Sequence, residues 1–221
     1  MIDEKLLKDF AKKNIKIIDA KSCYIDSTCN IGENTVIEPN NVITKNSVIG
    51  KNCVLEANNH IENTIIGDDN VITNSYMKDS VILNNNQIGP FARLRSAKIM
   101  SNTKVGNFVE IKQSIISDGV KVSHLAYIGD AEVGENTNIG CGVIFCNYNG
   151  KDKFKIIVGK NCFLGSNCNL IAPLQIGDNS FIAAGCTVYK SIEKDKFVIS
   201  KRELDIKEDF KKIHIKKPKG D

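Results

Sequence analysis

The chain has 221 residues, and its 30 Lys and Arg against 26 Asp and Glu give a formal net charge of +4. That excess is too small to favour a nucleic-acid partner. No apolar run approaches the length of a membrane span, and the N-terminus lacks the apolar core of a signal peptide. We therefore expect a cytoplasmic protein with no membrane span and no nucleic-acid partner.

The first predicted element is a short helix over residues 2–13. Its apolar residues recur at helical spacing, which predicts one apolar face formed by Ile2, Leu6, Leu7 and Phe10. A helix this short is not a domain, and the open end of a repetitive fold needs a cover. We assign residues 1–20 as an N-terminal cap with its lead-in.

An aliphatic residue then returns every six positions. This period fits neither an α-helix nor simple strand alternation, and it predicts a parallel β-helix with three short sides per coil. The spacing shortens to five residues in places, so one coil takes 17 or 18 residues; we assign no register between 66 and 88. The predicted β-helix domain spans residues 21–190. Its clearest repeat positions are Ile25, Ile31, Ile37, Ile43, Ile49, Leu55 and Ile61, then Val158, Leu164, Leu170, Ile176, Ile182 and Val188.

The eight cysteines resemble a disulfide or zinc framework until they are compared with the repeat. Five of them follow a repeat position by four residues, where a small side chain is expected to point inward: Cys29, Cys53, Cys162, Cys168 and Cys186. Free cysteine packs there as a small buried hydrophobe. Because the chain has no C-x-x-C pair, the pattern indicates packing and no metal site.

One segment interrupts the repeat, at residues 146–156. A loop that leaves a solenoid does not disturb its core, and such loops often carry function. The amide, phenol and ammonium groups between 147 and 155 are a suitable lining for a polar ligand. From residue 191 we expect a C-terminal arm to 221, with a polar helix over 203–212. A basic stretch follows at 211–219, for which a solvated end is favoured over a membrane or nucleic-acid contact.

The coil length also predicts which side chains are neighbours. Arg95 and Lys112 each follow a repeat position by one residue and are 17 residues apart, so they should stack on adjacent coils about 4.8 Å apart. Such a pair indicates a clamp for an anion such as phosphate, although two solvated surface charges remain an equal alternative. His124 follows a repeat position by two residues and could act as a general base, but the pattern alone favours a structural histidine.

Several longer strings closely resemble one family. They are IGPFARLR at 88–95, VGNFVEIK at 105–112, HLAYIGDAE at 124–132, NIG at 138–140, CNYNG at 146–150 and AAG at 183–185. The family is the acetyltransferase half of the bifunctional bacterial enzyme that acetylates glucosamine 1-phosphate and then uridylylates the product. It belongs to the hexapeptide-repeat acyltransferases and serves UDP-N-acetylglucosamine synthesis. The resemblance covers nearly the whole chain and is strongest from 88 to 200.

This resemblance implies a left-handed parallel β-helix, an exception to the usual right-handed crossover. It also implies a homotrimer with active sites between subunits, acetyl-CoA as cosubstrate, an amino-sugar phosphate as acceptor, and no metal. His124 would be the base that takes a proton from the 2-amino group of the sugar. The implied sugar-phosphate contacts are Arg95, Lys112, Tyr127, Asn138 and Lys153, with Glu110 beside them. The implied acetyl-CoA contacts are Asn147, Tyr148, Ser166, Ala184 and Lys201.

The chain differs from the family in ways that leave alternatives open. The family's nucleotidyl-transferring domain is absent, so we expect no UDP-sugar synthesis by this chain alone. Cys141, Asn149 and Lys201 replace the alanine, aspartate and arginine of the family strings. One alternative keeps the chemistry on another amino-sugar phosphate or a nucleotide-linked amino sugar. The other is a non-catalytic binding subunit that partners a separate sugar nucleotidyltransferase.

Overall fold

The protein is described by a computed structural model at residues 2, 4–201 and 203. It begins with helix α1 (Glu4–Lys12), which buries Phe10 and places Glu4 in the first turn and Lys12 in the last, where each charge suits the helix dipole. This helix lies within the range 2–13 that the apolar spacing predicted. Nowhere in the described residues is there a helix long and apolar enough to cross a bilayer.

All further regular elements are short strands. In chain order they are β1 (Lys16–Ile17), β2 (Tyr24–Ile25), β3 (Asn30–Ile31), β4 (Val36–Ile37), β5 (Val42–Thr44), β6 (Val48–Ile49), β7 (Val54–Leu55), β8 (His60–Glu62), β9 (Ile65–Ile66), β10 (Val71–Ile72), β11 (Tyr76–Lys78), β12 (Val81–Ile82), β13 (Gln87–Ile88), β14 (Arg93–Arg95), β15 (Lys98–Ile99), β16 (Lys104–Asn107), β17 (Glu110–Lys112), β18 (Ile115–Ile116), β19 (Lys121–His124), β20 (Tyr127–Gly129), β21 (Ala131–Val133), β22 (Asn138–Ile139), β23 (Ile144–Cys146), β24 (Ile156–Val158), β25 (Phe163–Leu164), β26 (Asn169–Ile171), β27 (Leu174–Ile176), β28 (Phe181–Ile182), β29 (Thr187–Val188) and β30 (Phe197–Val198).

The strands form three parallel sheets that wrap one core. Sheet A runs from β1 and β4 through every third strand to β28 and β30; sheet B runs from β2 to β29, and sheet C from β3 to β27. Each strand thus pairs with its counterpart on the next coil. This is the left-handed parallel β-helix that the resemblance implied. We call the turn from sheet A to sheet B the A–B corner, and the turn from sheet B to sheet C the B–C corner.

The six-residue repeat forms the core of this prism. Residues at the repeat positions, such as Ile31, Ile61 and Leu164, are fully buried, while the residue before each points outward, as alternation along a strand requires. The corners take backbone conformations with positive φ, and asparagine, which tolerates them, supplies most of the non-glycine residues there. The core is therefore a continuous aliphatic stack along the axis.

The structure supplies the register between residues 66 and 88, which the sequence left unassigned. Between 66 and 88 the inward positions are Ile72, Met77 and Ile82, all fully buried. Two consecutive five-residue sides and a methionine at a repeat position hid the pattern there. The strands also extend past 21–190 at both ends, to β1 and β30. At the N-terminal end, the spacing from Ile17 to Ile25 is eight residues. At the C-terminal end, the spacing from Val188 to Ile192 is four residues, which interrupts the six-residue repeat before Val198.

The cysteines pack as the repeat predicted. The five that follow a repeat position by four residues are buried, and all eight are free thiols. At Cys53, for example, burial raises the pKa of the thiol, and Sγ donates to the carbonyl oxygen of Gly67 at 3.1 Å. These residues therefore serve as small core side chains whose thiols make one or two weak hydrogen bonds.

The segment between β23 and β24, residues 147–155, leaves the repeat where the sequence is interrupted; Cys146 and Ile156 belong to the strands. It forms a small hairpin in which Tyr148 pairs antiparallel with Lys153. The predicted polar helix over 203–212 lies outside the described residues except for 203, and the basic stretch at 211–219 lies outside them entirely.

Candidate functional site

Three cations form a cluster at the outer edge of sheet B. Arg95 and Lys112 are register partners on β14 and β17, as the 17-residue spacing predicted. Lys153, from the loop, brings its amine to that of Lys112 and is the largest cause of a lowered pKa at Lys112. Desolvation and the Arg95 charge lower it further, and the Asp130 carboxylate opposes them. We call Arg95, Lys112 and Lys153 the cationic cluster; it is an unfavourable arrangement that an anion would relieve.

Glu110 partly neutralises this cluster, which the sequence did not predict. Its Oε1 accepts a hydrogen bond from Nε of Arg95 at 2.9 Å, with a second, shorter contact to Nη2 of the same guanidinium. Nη1 of Arg93 lies 4.0 Å from the same oxygen. Glu110 therefore fixes the orientation of Arg95 and leaves Lys112 and Lys153 as the less compensated pair.

Tyr127 and Asn147 converge above Lys112 because of a glycine. Gly129 is the register partner of Lys112 on the next coil. A Cβ at Gly129 would lie 2.5 Å from Oη of Tyr127 and 2.8 Å from Nδ2 of Asn147. A side chain at this position would therefore displace both polar groups. Because Gly129 has no side chain, the phenol of Tyr127 and the amide of Asn147 can approach the cationic cluster.

The loop presents Lys153 on a folded support. Asn147 is buried, and its amide donates to the Asp130 carboxylate. The backbone N–H groups of Lys151 and Asp152 donate to Oδ1 of Asn149 at 2.8 and 2.7 Å. An asparagine oxygen thus closes the same turn that the family's aspartate could close. A cavity of about 240 Å³ lies beside the loop, lined by Gln113, Asp130, Lys153, Phe154 and Lys155.

A second group of site residues lies along the A–B corner. Backbone hydrogen bonds link successive coils there, from Leu125 N to Asn107 O, Gly142 N to Leu125 O, Asn167 N to Cys141 O, and Gly185 N to Ser166 O. Together with the register of β19 and β22, which places Cys141 beside His124, they define a column with one residue per coil. We call it the corner column: Asn107, His124, Cys141, Ser166 and Ala184. Successive members are about 4.8 Å apart along the axis. The corner column therefore places His124 in line with two of the implied acetyl-CoA contacts.

His124 is exposed at the end of β19, and its Nδ1 lies 2.9 Å from Oδ1 of Asn107. Sequence reasoning did not single out Asn107, although it lies within the VGNFVEIK string and 17 residues before His124. The coil length could have found it. The other described histidine, His60, stacks on Tyr76 with ring centroids 5.0 Å apart and has Nε2 3.9 Å from Oε2 of Glu62. His124 therefore has the more accessible ring.

The side chains beside the corner column change size at the level of His124. Phe91, Phe108 and Leu125 occupy the neighbouring corner positions on three successive coils, all with positive φ and about half exposed. On the next coils these positions are held by Gly142, Asn167 and Gly185. The corner is therefore bulky below His124 and open above it, which leaves room for an extended ligand along Cys141, Ser166 and Ala184.

The predicted site residues do not all face one place within a single chain. Asn138 points outward from sheet A, between Lys121 and Phe163. The cationic cluster faces outward from sheet B, and Tyr148 is 57% exposed on the loop, where its hydroxyl donates to Gly150 O at 2.6 Å. Lys201 is exposed just beyond β30. One chain therefore carries separate parts of the proposed site.

Other features of the described residues do not resemble a site. A cleft of about 640 Å³ surrounds Glu62, whose carboxylate pairs with Lys45 and Lys78 at 2.6 and 3.1 Å. These ion pairs lower the pKa of Glu62 and satisfy its charge internally. Within residues 4–201, no group of three His, Cys, Asp or Glu side chains is arranged to hold a metal ion.

Comparison with known proteins relates the chain to bacterial sequences over part of its length. It is 48% identical over 86 residues to the bifunctional protein GlmU of Acetivibrio thermocellus, a match to 39% of this chain and 19% of the relative. It is 52% identical over 86 residues to the bifunctional protein GlmU of Sulfurovum sp., covering 39% of this chain and 20% of the relative. Over these residues the chain is similar to GlmU, and residues 155–190 match a hexapeptide-repeat profile. The match spans about a fifth of the length of these GlmU proteins.

Family profiles and solved structures agree on the fold. The GMPPB C-terminal domain profile matches residues 19–102, and that of the hexapeptide repeat of succinyl-transferase matches 155–190. A solved Arabidopsis UDP-N-acetylglucosamine acyltransferase superposes with a TM-score of 0.57 at 18% identity, covering 79% of this chain and 68% of that one. At this identity the likeness shows the fold alone. His124, Lys112 and Lys153 lie between the two profile matches, so their roles depend on the geometry and on the resemblance to GlmU.

Proposed function

We propose that this GlmU relative is an acetyl-CoA-dependent N-acetyltransferase whose acceptor is glucosamine 1-phosphate. The observation that carries the proposal is the arrangement around sheet B, where an exposed histidine lies on one corner and a cluster of three cations on the other. The cationic cluster suits a phosphate monoester, because its ammonium groups repel each other until an anion binds. The corner column suits an extended acyl donor that ends at His124.

In the proposed reaction, the 2-amino nitrogen of the sugar attacks the carbonyl carbon of the acetyl thioester. Nε2 of His124 accepts the proton that the nitrogen loses as the new C–N bond forms. The resulting oxyanion collapses, the C–S bond breaks, and the thiolate of CoA leaves and takes the proton from His124, which returns the imidazole to its neutral form. The products are an N-acetylated sugar phosphate and free CoA thiol.

Removal of the imidazole tests this role. We expect His124→Ala to lower the rate of acetyl transfer by at least about 10²-fold, the scale of general-base catalysis. The measurement is thiol release from acetyl-CoA with glucosamine 1-phosphate. His60→Ala is the matched control, because His60 contacts Tyr76 and Glu62 and lies on lower coils. Full turnover by a folded His124→Ala protein would contradict the assignment of the base.

The acceptor is tested with a panel of amino-sugar phosphates and nucleotide-linked amino sugars. Fastest thiol release with glucosamine 1-phosphate is the expected result. Faster thiol release with another member would support acetyl transfer but contradict glucosamine 1-phosphate as the acceptor. No release with any member, despite tight binding of acetyl-CoA, would instead indicate a binding subunit.

A further inference from the structure

Asn107 and His124 are brought together by two unusually long strands. β16 and β19 are four residues long, and every other described strand has two or three. Their register pairs Lys104 with Lys121, Val105 with Val122, and Asn107 with His124 at the end of both strands. The two side chains therefore leave the same edge of sheet A on adjacent coils.

The backbone around this pair leaves little freedom. Leu125 N donates to the carbonyl oxygen of Asn107 at 3.0 Å, which fixes the corner directly after His124. Gly106 packs so closely on the next coil that a Cβ there would lie 1.9 Å from the carbonyl oxygen of Ser123. Phe108 and Leu125 follow with φ of 55° and 46°, so both strands end in the same turn. The amide and the imidazole are thus held by the fold at the same height on two coils.

The contact determines which ring nitrogen can act as a base. A carboxamide oxygen only accepts hydrogen bonds, so Oδ1 of Asn107 at 2.9 Å requires a proton on Nδ1 of His124. In the neutral ring, Nε2 then carries the free lone pair. Removal of the acceptor would release this preference and let the ring rotate or change tautomer.

We propose that Asn107 is a positioning residue that holds His124 in the tautomer with a proton on Nδ1 and an unprotonated Nε2. The catalytic consequence of this inference rests on the proposed function. The tautomer itself rests only on the contact between Asn107 and His124. The side-chain oxygen of Asn107 contacts the imidazole of His124, and its effect on acetyl transfer is exerted through that ring.

The test compares Asn107→Asp with Asn107→Leu. Aspartate keeps an accepting oxygen at the same place, whereas leucine removes every acceptor with little change in volume. We expect Asn107→Leu to lower kcat by about 10²-fold with little change in KM for acetyl-CoA, since the group lost acts on proton transfer. We expect Asn107→Asp to retain most of the activity. Gln87→Leu, an exposed substitution on β13, is the control for a polar-to-apolar change on sheet A.

The tautomer of His124 can be measured independently of activity by ¹⁵N NMR. In protein labelled with ¹⁵N-histidine, the His124 signals are identified by their loss in His124→Gln. We expect a protonated Nδ1 and an unprotonated Nε2 in the unsubstituted protein and in Asn107→Asp. We expect a mixture of tautomers in Asn107→Leu.

The outcomes distinguish this inference from the proposed function. Unchanged nitrogen signals in Asn107→Leu would overturn the positioning role, whatever the activity. Loss of activity in Asn107→Asp equal to that in Asn107→Leu would also overturn it, because it would mean that the amide nitrogen, and not the oxygen, serves the ring. Absence of acetyl transfer by the unsubstituted protein would overturn the proposed function. The ¹⁵N signals of His124 would still test whether Asn107 sets the tautomer.

Discussion

The lowered pKa of Lys112 links stability to anion binding. Its largest cause is the amine of Lys153, so the folded protein holds two ammonium groups in mutual repulsion at neutral pH. We expect Lys153→Met to raise the thermal midpoint of the unliganded protein at neutral pH. The gain should shrink as the pH rises through the lowered pKa of Lys112 towards the ordinary lysine value. In that window the unfolded chain binds more protons at Lys112 than the folded chain does, so the stability of the unsubstituted protein rises with pH.

The same substitution should weaken the response to an anion. Inorganic phosphate or glucosamine 1-phosphate should raise the thermal midpoint of the unsubstituted protein more than that of Lys153→Met. Lys151→Met is the control, because it removes the same charge from an exposed position on the same loop. Equal midpoints for Lys153→Met and Lys151→Met at every pH would contradict a repulsive cluster.

At the scale of the strands, the repeat made the register predictable but not the details that build the site. The stacking of Arg95 on Lys112 follows from coil length, because one coil returns each residue to its own column. The bond from Arg95 to Glu110 does not follow, because it depends on which rotamer a long guanidinium side chain adopts. The coil length places Asn107 one coil before His124, but the hydrogen bond between their side chains depends on both strands extending to the corner.

We expect Gly106 to determine both the stability of the A–B corner next to Asn107 and the position of the Asn107 side chain. The Cβ of Gly106→Ala would meet the backbone of Ser123, so one coil must shift at a cost of about 1–3 kcal/mol. Gly32→Ala is the matched control, because its Cβ would meet the backbone of Gly50 at 2.4 Å on a distant coil. We expect both variants to unfold at lower denaturant concentration, and only Gly106→Ala to change the His124 nitrogen signals. Unchanged signals in Gly106→Ala would mean that the pair tolerates a shift of the coil.

At the scale of the whole molecule, the shape of the prism separates residues that the proposed reaction needs together. Asn138 points outward from sheet A, and Lys112 points outward from sheet B. Two faces of a three-sided prism point away from each other, so these side chains in one chain cannot contact the same small sugar phosphate. If both bind the acceptor, they come from different protomers. A closed ring of protomers would repeat such a shared site at every interface.

Mixing two impaired variants tests this arrangement. We expect Asn138→Leu and Lys112→Met each to lose most acetyl transfer, and co-refolded mixtures to regain activity. In a ring, about one site in four would receive an intact Asn138 from one protomer and an intact Lys112 from its neighbour. A mixture of Lys112→Met with Lys153→Met should regain nothing, because both belong to the cationic cluster of one chain. Thiol release from acetyl-CoA measures the recovery, and sedimentation of each variant checks that assembly is unchanged. Failure of the first mixture to recover, with assembly intact, would place Asn138 outside the site that contains Lys112.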